Sequence, residues 1–154
     1  MNRGGDVTYH GPGQLIVSPL LYLGDMEMNA NQFMHGLEDV IMDLLTAMGI
    51  PAFKKEKQPG VWHEKGKIAA VGIAVKHGFT FHGFSLNLDP DLEAFDLINP
   101  CGVHKMPVTS IREVLGWAPD MAEIKGRLRE ILERTFGLET RTLTAQDLAS
   151  KLNP

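Results

Sequence analysis

The chain is poor in thiols: Cys101 is its one cysteine in 154 residues, so no internal disulfide can staple it. It is also modest in aromatics, at 7%, which leaves most of the core to aliphatic side chains. No sign of charge dominates. Fifteen Lys and Arg stand against 19 Asp and Glu, a net charge of -4, so composition supplies no basic surface for nucleic acid or for an anionic membrane. No apolar run approaches the roughly eighteen residues of a spanning helix, and Met1–Asp6 is too polar for a signal peptide. The expectation is therefore a cytoplasmic protein with neither membrane nor nucleic acid as partner. The six histidines include no H-x-x-x-H or H-x-H pair, and no second cysteine is at hand, so no metal site is expected. The phosphate-binding G-x-x-x-x-G-K-[ST] loop and the G-x-S-x-G nucleophile elbow are both missing.

What is present suits one α+β domain over residues 1–154, with a mostly antiparallel or mixed sheet packed against helices. VTYH (7–10) and QLIVSPLLYL (14–23) read as strands around an HGPG turn, the second interrupted by Pro19. A helix capped by Asn29 or Asn31 then carries Phe33, Leu37, Val40, Ile41, Leu44, Leu45 and Met48 at steps of three and four, with Gly49 closing it. The stretch from Pro51 to Leu88 reads as consecutive hairpins with turns at Glu64–Gly66 and Lys76–Gly78. Beyond Leu88 the chain is irregular. Asp120 and Glu123 then form a capping-box-like start to a helix with Met121, Ile124, Leu128, Ile131 and Leu132 on one stripe and Gly137 at its end. A shorter helix, 145–152, follows Thr144.

Two residues stand out chemically. Cys101 lies in INPCGV, between proline and glycine, and so on an irregular loop rather than a strand face. A lone cysteine is most often a small buried hydrophobe. A reactive one needs a nearby cation, because the thiolate is the nucleophile. Lys67 is the candidate cation, since it opens KIAAVGIAV, where nearly every following residue is apolar. A strand-end lysine reaching out to water fits the same pattern. Spacing alone leaves both readings open for both residues.

The blocks RGGDVTYHGPGQ (3–14), PGVW (59–62), GKIAAVGIAV (66–75), FHGFSLNL (81–88), NPCG (99–102) and VTSI (108–111) together resemble the octanoyl (lipoyl) transferases of protein lipoylation, in that family's order and spacing. The resemblance covers residues 3 to 111 and implies the catalytic-domain fold shared with biotin and lipoate ligases. It implies that Cys101 is the nucleophile that carries the acyl group as a thioester, and that Lys67 lowers the thiol's pKa and acts as acid and base. It further implies substrate-binding roles for Arg3, Gly4, Gly5, Asp6, Val7, Thr8, Tyr9 and His10, for Ala70, Val71 and Gly72, and for Gly83, Phe84 and Ser85.

The implied donor is octanoyl-acyl carrier protein, and the implied acceptors are lipoyl domains of 2-oxoacid dehydrogenases or the glycine cleavage H protein. No cofactor is implied, because a thioester already holds an activated acyl group. On this reading Gly4, Gly5, Gly11 and Gly13 let the backbone approach the acyl chain, and the strands carrying Ile68, Val71 and Phe84 wall its pocket. His10 orients the loop. The stretch Lys54–Lys67 holds five lysines and two glutamates, and the expectation is that it meets the acidic carrier. Two rivals remain: an ATP-dependent lipoate or biotin ligase, and a non-catalytic acyl- or lipoyl-domain-binding protein. Against the first, such ligases use no cysteine nucleophile, and the residue after His10 is Gly11 where lipoate ligases usually carry aspartate. Family members carry further strands ahead of the glycine loop. The chain is accordingly expected to be N-terminally truncated relative to them, with an unpaired sheet edge that favours self-association.

Overall fold

The computed structural model describes residues 8–97 and 106–152. Five antiparallel strands form one sheet: β1 (Gln14–Val17), β2 (Phe53–Lys54), β3 (Gly60–His63), β4 (Gly66–Lys76) and β5 (Phe79–Asn87), in the order β1-β5-β4-β3-β2. Among the described residues four α-helices accompany it: α1 (Ala30–Ala47), α2 (Ile111–Leu115), α3 (Met121–Phe136) and α4 (Ala145–Leu152). The expected α+β class is the one observed. Among the described residues, no helix is long and apolar enough to cross a membrane.

Helix α1 begins where Asn29 accepts from the Gln32 amide while the Gln32 side chain accepts from the Asn29 amide, a reciprocal capping box. Its stripe Phe33, Leu37, Val40, Ile41, Leu44 and Leu45 is wholly buried against the sheet and α3. Helix α3 starts on Asp120, whose carboxylate accepts from the Ala122 and Glu123 amides. The Glu123 side chain turns instead to Arg127, so only the aspartate half of the expected box forms. Ile124, Leu128, Ile131 and Phe136 of α3 join the core, and the Phe33 and Phe136 rings meet at 5.2 Å. The β4–β5 hairpin turns at His77 and Gly78, both with positive φ, as a two-residue turn matched to strand twist requires.

The first strand differs from expectation. Thr8–His10 is not a strand: the Tyr9 ring packs edge-on to Phe95 at 5.2 Å, and His10 Nδ1 lies 3.2 Å from Gln14 Oε1. Val7, the first residue of that expected strand, lies outside the described residues. Strand β1 also stops at Val17. Beyond it, Pro19 lacks an N–H for the ladder, and the buried Thr80 hydroxyl holds the irregular chain by donating to the Pro19 carbonyl and accepting from the Leu21 amide.

Candidate active site

Cross-strand partners share a face, so the register sorts the sheet into two surfaces. Val61, Ala69, Val71, Phe84, Leu86 and Leu15 face the helices and belong to the core. Gly60, Ala70, Gly72, Gly83, Ser85, Asn87 and Gln14 face the other way. Lys67 should sit with Ala69 and Val71 by simple alternation. A bulge prevents it: Val61 pairs with Ala69 but Trp62 pairs with Lys67, leaving Ile68 as an extra residue on β4. Ile68 and Ala69 are thus both buried in the core, and Lys67 swings to the face of Ala70 and Ser85.

There Lys67 is only 8% exposed. Its main chain is pinned to the segment before α2, accepting from the Thr109 amide and donating to the Pro107 carbonyl. Its ammonium donates to the Pro59 carbonyl at 2.9 Å and lies 4.9 Å from the centre of the Trp62 ring. Gly60 makes this close approach feasible: at φ +126, a Cβ there would come within 3.1 Å of Lys67 Cε and 2.4 Å of the Ala69 oxygen. A small cleft opens in front, lined by Thr8, Gln14, Lys67, Ala70, Ser85, Asn87, Phe95, Met106 and Val108. In sequence, the lining residues Phe95 and Met106 stand on either side of residues 98–105. Cys101 itself, like Arg3, Gly4, Gly5, Asp6 and Val7, lies outside the described residues.

The polar floor is a relay anchored on the buried Asn87. Its carbonyl oxygen accepts from Gln14 Nε2 at 2.9 Å, and its amide donates to the Thr109 carbonyl at 2.9 Å. Gln14 Oε1 accepts from the Gly11 amide, which ties the glycine loop to the sheet. The Thr109 hydroxyl is buried without a hydrogen-bond partner among the described residues.

Several expectations are corrected. The strands carrying Ile68, Val71 and Phe84 do line the cleft, through Lys67, Ala70, Ser85 and Asn87, but the side chains of Ile68, Val71 and Phe84 themselves point into the helical core. Gly11 and Gly13 serve the protein's own packing: a Cβ on Gly11 would meet the Tyr9 hydroxyl at 2.0 Å, and one on Gly13 (φ +83) the Asp89 carbonyl oxygen at 2.0 Å. Gly83 is covered by the crossing chain at Val17 and Pro19, whereas a Cβ on Gly72 would meet nothing within 4 Å. His10 is exposed and bonded to Gln14.

The lysine-rich run disperses. Lys54 pairs with Asp39 at 2.6 Å, Lys65 donates to the Glu113 carbonyl, and Lys55 stacks 3.8 Å from the Trp62 ring centre. Lys55, Lys57 and Lys65 are its exposed members without an ion pair among the described residues, and Lys65 is held by the Glu113 carbonyl. Among the described residues no group of three or more His, Cys, Asp or Glu side chains gathers to hold a metal.

One residue was missed in the sequence. Glu38 of α1 is 2% exposed, and its carboxylate accepts from the Gly60 amide at 2.8 Å and pairs with His35 Nδ1 at 2.9 Å. A signal existed: Glu38 falls one turn before Ile41 and two before Leu45 on the apolar stripe, where an unpartnered carboxylate would be costly.

A family model described as the lipoyl protein ligase A/B catalytic domain matches residues 1–133. The chain is 42% identical over 139 residues to an octanoyltransferase of Desulfotalea psychrophila, covering 89% of this chain and 62% of that protein. It is 40% identical over 149 residues to the octanoyltransferase of Caldanaerobacter subterraneus, covering 97% and 65% respectively. The chain thus spans under two thirds of the length of these curated relatives. In fold it is similar to lipoate-protein ligase A bound with ATP, with a TM-score of 0.73, 17% identity and coverage of 96% of this chain and 62% of that one. It is likewise similar to the biotin protein ligase of Aquifex aeolicus, with a TM-score of 0.65, 19% identity and coverage of 81% and 53%.

Proposed function

Because the chain belongs to the lipoyl protein ligase A/B catalytic-domain family, we propose that it transfers an octanoyl or lipoyl group from acyl carrier protein to a lysine of lipoyl domains. Cys101 is the proposed carrier of the acyl group and Lys67 the proposed proton-transfer partner. The observation that carries the reading is Lys67 itself. It is a buried lysine turned by a β-bulge away from the apolar core and into a cleft, in a chain whose relatives are named octanoyltransferases.

In the first half-reaction the Cys101 thiolate attacks the donor's thioester carbonyl. A carbon–sulfur bond to Cys101 forms, the bond to the carrier's sulfur breaks, and the leaving thiolate takes up the proton that Cys101 gave to Lys67. In the second, the acceptor's amine attacks the enzyme thioester. An amide bond forms, the Cys101 carbon–sulfur bond breaks, and the amine's proton returns to sulfur through Lys67. Arg3–His10, residues 70–72 and residues 83–85 are the proposed substrate-binding segments. No described strand pairs with β4 on its β3 side beyond Ala70, and main-chain donors there would suit the developing oxyanion.

Intact mass after incubation with octanoyl-acyl carrier protein tests the reading. One octanoyl adduct, labile to hydroxylamine and absent from Cys101→Ala, is expected; an adduct that survives in Cys101→Ala removes Cys101 from the mechanism. Activation of free octanoate only with ATP would instead indicate a ligase. Exposed Lys55 and Lys57 are proposed to meet the acidic carrier, so reversing both charges should slow donor use about threefold at low salt and less at high salt. Equal rates at both ionic strengths would remove them from the encounter.

A further inference from the structure

Lys67 and Glu38 approach the same peptide group from opposite ends. The Lys67 ammonium donates to the carbonyl of Pro59, and the amide of the next residue, Gly60, donates to the Glu38 carboxylate. Both side chains are buried, and they come from different layers: Lys67 from the bulge of β4, Glu38 from the sheet-facing stripe of α1. The Pro59–Gly60 peptide therefore lies with its negative end on the cation and its positive end on the anion. Charge at each end polarises the peptide in the same sense, which strengthens both hydrogen bonds.

We propose that Glu38 is a positioning residue for Lys67, acting through the Pro59–Gly60 peptide to hold the ammonium at the cleft and to favour its charged form. The proposal rests on Lys67 being the functional lysine of the cleft. Two features make the arrangement more than a satisfied buried acid. Glu38 reaches across from the helix layer to the one amide at the head of β3, although a polar residue on this stripe breaks the apolar run of α1. Gly60 cannot carry a side chain without pressing on Lys67 Cε, so the peptide is held close to the lysine. Among the described residues, His35 is half exposed beyond Glu38, Lys54 is paired with Asp39 while leaning on the His35 carbonyl, and the exposed Lys55 lies over the Trp62 ring that Lys67 also faces.

Glu38→Gln keeps the shape and can still accept from the Gly60 amide, but removes the charge. Three readings are taken on it, on Glu38→Asp and on Lys67→Ala: the pH midpoint of the Lys67 side chain by 13C NMR at Cε, the pH profile of Cys101 alkylation by iodoacetamide, and kcat against KM for acyl transfer. In Glu38→Gln the Lys67 midpoint should move to lower pH, and kcat should fall roughly tenfold with KM little changed, as for a misplaced catalytic group. Glu38→Asp retains the charge one methylene further away and should fall between Glu38→Gln and the unsubstituted protein. A purely structural role predicts a lower melting temperature with the Lys67 midpoint unmoved, and that result overturns the proposal. If Glu38→Gln does not fold, an unmoved midpoint in Glu38→Asp overturns it equally. The two readings separate cleanly. Alkylation that is unchanged in Lys67→Ala defeats the Cys101–Lys67 pairing, whereas a Lys67 midpoint that still follows Glu38 sustains the relay.

Discussion

The two faces of the sheet are built to opposite specifications. Toward the helices stand Val61, Ile68, Ala69, Val71, Phe84 and Leu86, closed over by α1 and α3. On the other face the residues around the cleft are mostly small or polar, namely Gly60, Ala70, Gly72, Gly83, Ser85 and Asn87 with Lys67, while Trp62 and Ile16 are the large apolar side chains paired among them. The first face removes apolar surface from water and so supplies most of the stability. The second leaves room and polar groups beside a cleft, and what it buries is largely polar apart from Trp62. Substitutions should therefore divide by face, those on the helix side lowering stability and those on the cleft side lowering turnover.

The largest effect expected is on the cleft side. Lys67→Ala should reduce kcat/KM by about 10³-fold, equivalent to about 4 kcal/mol of transition-state stabilisation, while circular dichroism still reports a folded protein. Activity within tenfold of the unsubstituted protein would erase the functional distinction between the faces. Next comes the helix side. Leu44 is fully buried under the sheet, and Leu44→Ala should cost about 3 kcal/mol in urea unfolding with kcat unchanged at temperatures where the protein stays folded.

A sharper test lies within the cleft face, where Gly72 and Gly83 pair across β4 and β5. Gly83→Ala must displace the Val17 carbonyl and should destabilise by about 2 kcal/mol. Gly72→Ala enters open space and should change stability by less than about 0.5 kcal/mol, so any loss of turnover there reports directly on substrate. Equal melting temperatures for the two variants would contradict the crossing of the chain over Gly83.

The smallest effect belongs to neither face. The Thr140 hydroxyl and then the Arg129 guanidinium hold the Glu133 carboxyl below its ordinary range, and Thr144 does the same for Asp147. Lowered carboxyls contribute stability that is fully present above their unfolded values and is lost as pH falls through the folded ones. Below about pH 4, amide exchange at Thr140 and Thr144 should therefore quicken before the sheet unfolds. Simultaneous loss of protection in β4 and at these amides would show that the C-terminal segment is not a separate, weaker unit.

How much of this was legible depended on how local its cause was. Helix α1 could be placed from its stripe and from Asn29, and the hairpin turns from their glycines, because caps, turns and periodicity act within a few residues. Thr8–His10 was misread as strand because a β-rich tetrapeptide says nothing about whether a partner strand exists, and here Tyr9 found Phe95 instead. Which side chains of β4 and β5 face the cleft could not be read, because Ile68, Val71 and Phe84 are apolar whichever way they face.

By itself the sequence determined the family, the α+β class, the approximate extents of α1, α3 and α4 and the candidacy of Lys67 and Cys101, since these rest on residue identity and short-range spacing. Only the tertiary structure decided which way Lys67 points. Strict alternation would send it to the core, and the bulge opposite Trp62 turns it to the cleft instead. Only the tertiary structure, too, brought Glu38 to the far end of the peptide that Lys67 grips. Register shifts and contacts between layers arise from the simultaneous packing of segments distant in sequence, and no window of the chain contains both partners.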